Sequence, residues 1–320
     1  MIKILAPSRN YEITKMQLEA GADEIYLGVD AGDFNVYSFG GRFKTMNSVK
    51  TQLNNYDELK KCCKICKEKN AILQVTANMH YIPAEFEEGY LQHIQSCIES
   101  GADQIIVSNV GLIKKIRKIN KDIDLVAGSF TFIPNSECIK FLYDLGVQRV
   151  VLPHATTLKE IEMIKKAVPD IEIEIFALIG GGNNCGRCMM FHSPIREDIG
   201  PGCRASYSVE YNNKNFEEIC FMDAAADCSL CSMRELENAG VTSLKIVGRE
   251  TKNEIVATLF TEVFFKYREC MYSGMKATEI KKYLSDNQFG WEMIWKKRFC
   301  DKARCKFHST EITRSYITLK

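Results

Sequence analysis

Short apolar runs alternate with longer amphipathic segments along most of the chain. Four of the runs each follow a helix end and a glycine, at Gly21, Gly101, Gly146 and Gly240. Glycine ends a helix readily because it adopts the left-handed backbone conformation, and a continuous apolar run is typical of a parallel strand buried on both faces. Similar runs predict four more strands, at 2–6, 71–77, 123–127 and 172–178.

Between these strands, apolar residues recur at helical spacing. The predicted helices are Asp57–Lys69, Glu85–Ser100, Gly111–Ile119, Asn135–Leu145, Thr157–Ala167 and 251–273. The alternation of strand and helix predicts an α/β fold, a parallel (β/α)8 barrel of the TIM type. The connection between the seventh and eighth strands, at about 179–231, is long and rich in Gly, Cys and Asn, so it is predicted to be a functional insertion at the carboxyl end of the barrel.

Charge is distributed unevenly along the chain. The barrel is predicted to occupy residues 1–275 and a basic appendage residues 276–320, which hold 11 Lys and Arg against 5 Asp and Glu. The whole chain has a formal net charge of +1, which gives no overall attraction to nucleic acid, so RNA is a possible partner but not the favoured one. Because no apolar run suits a signal peptide or a membrane span, we expect a cytoplasmic protein without a membrane partner.

Cysteine is the residue type that points most directly to chemistry. The chain has 14 cysteines, and in a cytoplasmic protein such abundance indicates metal binding or redox chemistry rather than disulfides. The insertion holds six of them, and five of these are the candidate ligands: Cys185, Cys188, Cys203, Cys228 and Cys231. Two Cys-x-x-Cys pairs within this set allow two thiolates each to reach one metal centre, and their spacing suits either zinc or an iron-sulfur cluster.

Two other groups of cysteines are weaker candidates for metal ligands. Cys62, Cys63 and Cys66 share one predicted helix, and we expect them to pack in the core. In the appendage, Cys300 and Cys305 together with His308 resemble a small zinc site only loosely.

Several motifs carry a resemblance to a known family. They are Leu5–Ser8, Gly21–Gly28, Glu174–Phe176, Gly186–Cys188, Gly202–Arg204 and Gly240–Arg249. Together they resemble peptidase family U-32, the collagenase-like peptidases, over nearly 2–272. The resemblance implies a β/α barrel with a 4Fe-4S cluster on four cysteines, which favours iron-sulfur over zinc here.

The resemblance also implies which cysteines bind the cluster. Cys188, Cys203 and Cys228 match ligand positions of the family, whereas Gly181 stands where the family has its fourth cysteine. Cys185 is the expected substitute, and Cys231 is its rival.

Members of the family similar to this chain act in oxygen-independent hydroxylation, either of uridine or cytidine in RNA or of a ubiquinone precursor, with prephenate implicated as the oxygen donor. The resemblance therefore implies redox modification, with hydroxylation of a small molecule, peptide or nucleoside as the leading reaction. Two alternatives stay open: a non-catalytic iron-sulfur subunit of a heteromer, and a collagenase-like peptidase. A homodimer is equally compatible with the sequence.

Polar residues just beyond the strand ends are the natural substrate contacts. The candidate catalytic residues are Arg249, Glu250 and His154, and the candidate substrate-binding residues are Arg9, Arg42, Asn78 and Ser129. Arg249 matches the family's Gly-Arg after the last strand, and a guanidinium binds a carboxylate with two parallel hydrogen bonds. We expect Arg249 and the cysteine insertion to lie at the same end of the barrel.

Overall fold

The protein, seen in a computed structural model, is described for residues 1–30, 32, 45–46, 48–79, 82–178, 207–219, 228–302 and 304–307. Its parallel strands are β1 Lys3–Pro7, β2 Glu24–Leu27, β3 Ile72–Ala77, β4 Gln104–Val107, β5 Asp124–Ala127, β6 Arg149–Val151, β7 Glu172–Phe176 and β8 Ser243–Lys245. They close into a barrel in the order β1-β8-β7-β6-β5-β4-β3-β2, which confirms the predicted fold class.

Helices surround the barrel. They are α1 Tyr11–Glu19, α2 Tyr56–Glu68, α3 Glu87–Glu99, α4 Val110–Ile119, α5 Ser136–Asp144, α6 Leu158–Ala167, α7 Met233–Asn238, α8 Glu254–Tyr272 and α9 Ala277–Asn287. Each helix predicted above is confirmed, with ends displaced by a few residues. None of the helices in the described ranges is long and apolar enough to cross a membrane.

The four recurring glycines all have the left-handed backbone conformation that the sequence pattern predicted, with φ between +89° and +99°. Gly21 has a second requirement. A Cβ atom at this position would lie 2.3 Å from the ring of Phe265 on α8, so the turn from α1 to β2 passes too close to that helix for any side chain.

The described residues form two separate apolar cores. The larger lies between the strands and the helices, where outward-facing residues such as Ile4 and Ile25 meet helix residues such as Leu59 and Phe264. The smaller fills the middle of the barrel and consists of Leu5, Tyr26, Ile106, Val126, Val151, Phe176 and Val247. The alternation of strand residues between the two sides accounts for this division.

The barrel also holds a buried ionic cluster that we call the floor: Glu24 and Arg149, which begin β2 and β6, with Glu174 on β7 and Lys245 on β8. Arg149 donates two hydrogen bonds to the carboxylate of Glu24, of 2.7 and 2.8 Å, and both residues are fully buried. Lys245 Nζ lies 2.9 Å from Glu174 Oε1. Each buried charge in the floor therefore has a partner of opposite sign.

The long insertion between β7 and β8 contains a feature that the sequence analysis did not predict. Residues Tyr207–Tyr211 and Lys214–Ile219 form an antiparallel hairpin. Asn212 and Asn213 make its turn with φ of 48° and 57°, a conformation that asparagine tolerates well in two-residue hairpin turns. The adjacent pair of asparagines was the signal available in the sequence.

The residues after α8, which we call the C-terminal segment, form α9 and a π-helical stretch, Trp291–Cys300. Trp295 is fully buried, and its ring meets the rings of Phe260 and Phe264 on α8 edge-on at 5.6 and 5.7 Å between centroids. Aromatic contacts therefore attach this segment to the last barrel helix. The placement of a domain boundary at residue 275 stays a prediction.

Candidate functional site

Arg249 lies inside the carboxyl end of the barrel, which we call the mouth. It follows β8, and its side chain is only 5% exposed. One guanidinium nitrogen lies 3.4 Å from the hydroxyl of Thr76 on β3, and the guanidinium carbon is 5.6 Å from the centroid of the Tyr26 ring. Gly248, with φ of +138°, turns the chain so that Arg249 enters the barrel. The geometry therefore places a permanent positive charge at the mouth, as the sequence predicted.

Arg9 supports the segment that carries Arg249. Its guanidinium donates to the carbonyl oxygens of Arg249 at 3.3 Å and of Thr251 at 2.8 Å. It also lies 3.7 Å from the carboxylate of Glu254 at the start of α8. Arg9 thus fixes the backbone after β8, and its predicted contact with substrate stays a prediction.

Asn78 and Ser108 add neutral polar groups to the mouth. They follow β3 and β4, are at most 9% exposed, and the Ser108 hydroxyl donates to the Asn78 side-chain oxygen. Gly128 after β5 makes room for this pair, because a Cβ there would lie 2.1 Å from that oxygen. Ser129, the next residue, begins a single turn of 3-10 helix and is half-buried.

The remaining candidates at the mouth are His154, Glu250 and Arg42. His154 lies in the connection from β6 to α6 and is 7% exposed, whereas Glu250 follows Arg249 and is half-buried. Arg42 lies outside the described residues. The structure therefore brings Arg249, Arg9, Asn78 and Ser129 to the end of the barrel where predicted, and their roles toward a substrate stay predictions.

The sequence analysis did not identify Lys245. It belongs to the floor, but its ammonium also lies 4.3 Å from the centroid of the Tyr26 ring, so Lys245 and Arg249 are both close to that ring. Burial lowers the pKa of Lys245, and the carboxylate of Glu174 opposes that shift. Lys245 ends β8 and Arg249 follows four residues later, and this pair of cations was the signal available in the sequence.

Two of the five cysteines of the predicted cluster are described, Cys228 and Cys231. Cys228 is 7% exposed and pairs through its backbone with Leu178, just beyond the carboxyl end of β7. Both cysteines are free thiols, so they are available as ligands for a thiolate-bound centre. Cys185, Cys188 and Cys203 lie outside the described residues.

Within the described ranges, no set of three or more Cys, His, Asp and Glu side chains stands in an arrangement that holds a metal ion. Cys62, Cys63 and Cys66 on α2 are buried in the larger core. Burial raises the pKa of the Cys62 thiol to about 11 and that of Cys63 to about 12, which suits packing residues rather than reactive thiolates.

Comparison with known proteins places this geometry in context. The sequence model of peptidase family U32 matches residues 9–299. The chain is 26% identical over 287 residues to tRNA hydroxylation protein P of Helicobacter pylori, a match that covers 82% of this chain and 63% of that protein. It thus spans less than two thirds of that relative.

Two further relatives carry different names. The chain is 26% identical over 259 residues to a 23S rRNA 5-hydroxycytidine synthase of Escherichia coli, covering 78% of this chain and 36% of that protein. It is 23% identical over 280 residues to a collagenase of Porphyromonas gingivalis, covering 80% of this chain and 63% of that protein.

Proposed function

The chain belongs to peptidase family U32, and from this membership and the cationic mouth of its barrel we propose that it acts in the hydroxylation of a nucleoside in RNA. The single structural observation that carries the proposal is the placement of Arg249 inside the mouth, above the ring of Tyr26. A buried guanidinium attracts an anion, and every nucleotide of RNA carries a phosphate.

The names of the relatives support RNA over the other substrate classes. One relative is named for hydroxylation of tRNA and another for hydroxylation of cytidine in rRNA, and the two matches cover 82% and 78% of this chain. The chain's net charge of +1 made RNA less favoured from composition alone. A local cationic site together with the basic C-terminal segment removes part of that objection, since binding depends on where the charge lies.

We propose a division of labour among the groups at the mouth. Arg249 binds an anionic group with its planar donors, and Lys245 adds positive charge from below. The Asn78 and Ser108 pair offers neutral hydrogen-bonding groups of the kind that recognise a base or a ribose. Arg9 positions the backbone of Arg249.

Hydroxylation without molecular oxygen requires another source of the oxygen atom. We propose a hydroxylated organic carboxylate as this donor. A C–H bond of the nucleoside and the C–O bond of the donor break, while a C–OH bond forms on the nucleoside and a C–H bond forms on the donor. The donor thereby takes up the two electrons that the nucleoside loses, and its carboxylate is an anion of the type that Arg249 suits.

We further propose that a 4Fe-4S cluster, with zinc less favoured, is held by four of Cys185, Cys188, Cys203, Cys228 and Cys231. When bound, such a cluster supplies one-electron redox chemistry. The fit rests on Cys228 and Cys231, which are free thiols at the same end of the barrel as Arg249.

The experiment compares modified nucleosides in tRNA and rRNA from cells with and without the gene, by liquid chromatography and mass spectrometry. We expect one hydroxylated pyrimidine to disappear on deletion and to return with the wild-type gene. An unchanged nucleoside profile would contradict an RNA substrate and favour a small molecule. Peptide cleavage by the purified protein that survives chelation would favour a peptidase, and activity only with a second protein would favour the partner-subunit alternative.

A further inference from the structure

The C-terminal segment pairs with the backbone at the mouth of the barrel. Cys228 forms an antiparallel bridge with Leu178, which follows β7, and a parallel bridge with Cys305. The N–H of Cys228 donates to the carbonyl of Arg304, and the N–H of Lys306 donates to the carbonyl of Cys228, both at 2.9 Å. Paired chains lie about 4.8 Å apart, so the backbone of Cys305 is about 10 Å from that of Leu178. The segment therefore reaches the edge of the mouth.

The pairing and a buried side chain hold this end of the segment in place. The N–H of Arg304 donates to the carbonyl of Phe299 at 2.9 Å, and Phe299 is fully buried in the larger core. Arg304 and Lys306 flank the bridged residue Cys305, so the pairing fixes the backbone of both. Two cationic residues are thus anchored at the edge of the mouth.

Positive charge is concentrated in this part of the segment. Residues 296–306 contain six Lys and Arg and a single Asp, which gives a formal net charge of +5. Lys297 and Lys302 are exposed, and Arg304 is half-buried. In the part of the chain that the structure describes, none of these three side chains forms an ion pair with a carboxylate. Their charge is therefore available to an anion from outside the protein.

The rest of the chain has the opposite charge. Residues 1–275 contain 31 Lys and Arg against 36 Asp and Glu, which gives a formal net charge of −5. A net charge of this sign repels the phosphates of an RNA strand, so binding requires a local cationic surface. Lys245 and Arg249 are at most 7% exposed, so they can serve only the part of a substrate that enters the barrel. The remainder of the strand needs cations outside it.

We infer that Lys297, Lys302, Arg304 and Lys306 form a phosphate-binding rim, which holds the RNA strand next to the nucleoside that enters the mouth. This inference rests on the proposed function and deepens it, because it names the surface that binds the rest of the RNA. Contacts to phosphate carry no information about the base, so the rim positions the strand and leaves the choice of nucleoside to the mouth. A fixed backbone also lowers the entropy cost of binding.

An anionic membrane is the other partner that a basic surface attracts, since lipid headgroups also carry phosphates. The position of the rim favours RNA. The rim lies at the same end of the barrel as Arg249, where the nucleoside is proposed to bind, and a strand that reaches Arg249 must pass the edge of the mouth. Binding to a bilayer makes no use of that position.

The test measures binding of the full-length protein to a short fluorescein-labelled single-stranded RNA, by fluorescence anisotropy over a series of salt concentrations. Lys297→Gln combined with Lys302→Gln removes two exposed charges, so the variant should fold like the wild type. We expect it to bind RNA more weakly by a factor on the order of ten. The slope of log K against log salt should become shallower by about 0.7 for each phosphate contact that is lost.

Lys118→Gln combined with Lys121→Gln is the matched control. Both lysines are exposed, at the end of α4 and just before β5, so they lie at the end of the barrel opposite the mouth. The control removes the same charge and should bind RNA like the wild type. An equal loss of affinity in the two double variants would mean that net charge alone matters, and it would overturn the inference. Failure of the wild type to bind RNA would also overturn it.

Arg304→Gln combined with Lys306→Gln extends the test to the two cations beside the bridge. We expect a loss of affinity on the order of tenfold here too, with circular dichroism to confirm that the variant is folded. Wild-type affinity in the folded variant would overturn the placement of the rim at the mouth.

Failure of the rim and failure of the proposed function give different results. If gene deletion removes a hydroxylated nucleoside while the rim variants bind RNA like the wild type, the proposed function stands and the rim is overturned. If deletion leaves the nucleoside profile unchanged while the rim variants lose RNA, the RNA-binding surface stands and the proposed function fails. Binding to phosphatidylserine vesicles without binding to RNA would overturn the inference in favour of a membrane partner.

Discussion

The floor and the mouth of the barrel both hold a buried arginine, yet the two side chains have different surroundings. Arg149 in the floor donates two short hydrogen bonds to Glu24 and another, of 2.6 Å, to Glu172. Arg249 in the mouth instead lies 3.4 Å from a threonine hydroxyl and over an aromatic ring. Carboxylates occupy the donors of the first guanidinium, whereas the described contacts of the second include a hydroxyl and the face of a ring.

The comparison shows how one residue type serves two purposes within a single barrel. A buried guanidinium paired with carboxylates is costly to disturb, because removal of one partner leaves the other charged and buried. A guanidinium at the carboxyl end of a parallel barrel lies instead where substrates bind, and its planar donors suit an anion. We therefore interpret the Arg149–Glu24 pair of the floor as structural and Arg249 at the mouth as functional, and the predictions below test that distinction.

The largest effect is expected from removing the floor arginine. Arg149→Met should lower the free energy of unfolding by about 3–5 kcal/mol, because Glu24 is left buried without its main partner. The same substitution at Arg249 should cost less than about 1.5 kcal/mol. Denaturant unfolding followed by circular dichroism measures both values. Equal losses of unfolding free energy at Arg149 and Arg249 would contradict the distinction between a structural and a functional arginine.

A double variant controls for the loss of packing. Arg149→Met combined with Glu24→Leu removes both charges, while Glu174 keeps Lys245 as its partner. We expect the double variant to be more stable than Arg149→Met alone, because the uncompensated carboxylate is gone. Additive losses would show that packing, and not charge, dominates at the floor.

The second prediction concerns the stability of the protein at acidic pH. Burial by itself would raise the pKa of Glu24, but hydrogen bonds from Arg149 and Ser243 and the charge of Lys3 hold it below its ordinary value. The unfolded chain therefore binds this proton at a higher pH than the folded chain does. The stability that Glu24 contributes is complete above the unfolded value of about 4.3 and is lost as the pH falls through the folded value.

Glu24→Gln tests this linkage directly. The variant should be less stable than the wild type at neutral pH, and its stability should fall less steeply on acidification, because the titrating group is absent. Unfolding curves recorded over a series of pH values give the two slopes. Parallel slopes would mean that another carboxyl group dominates acid sensitivity.

The architecture could be predicted from the sequence because it depends on local periodicity. Each strand and each helix has its own local pattern of apolar residues. The glycines at 21, 101, 146 and 240 mark the junction between a helix and the next strand four times. Arg249 was also identifiable, since a residue that follows the last strand must lie at the mouth of a parallel barrel.

The floor and the C-terminal cysteines were not identifiable in this way. Arg149 on β6 and Glu24 on β2 meet only because the barrel closes, and their strands are not neighbours in the sheet. Cys228 and Cys305 meet through a bridge between distant segments. Closure of the barrel and packing of the C-terminal segment against it decide which distant polar groups pair. A periodic pattern of apolar residues predicts neither of them.

The third prediction returns to the mouth. Arg249→Lys keeps the charge but loses the planar pair of donors, so we expect the hydroxylated nucleoside in RNA to fall about tenfold. Metal content and thermal stability should stay close to those of the wild type. Arg234→Lys is a matched control, because Arg234 is half exposed on α7 and donates to a backbone carbonyl. Equal nucleoside levels in the two variants would remove Arg249 from substrate binding.

The smallest effect is expected from the hydroxyl that holds Arg249. Thr76 accepts from the Arg249 guanidinium at 3.4 Å and donates to the carbonyl of Leu27 at 2.9 Å, so it fixes the guanidinium relative to β2 and β3. Thr76→Val keeps the shape and removes the hydroxyl, which should cost about 1 kcal/mol of stability. Product should fall by less than in Arg249→Lys, because the guanidinium remains but is less firmly oriented. Thr76→Ser keeps the hydroxyl, so it should give nearly the wild-type amount of product. If the serine variant loses as much product as the valine variant, the methyl group, and not the hydrogen bond, matters at this position.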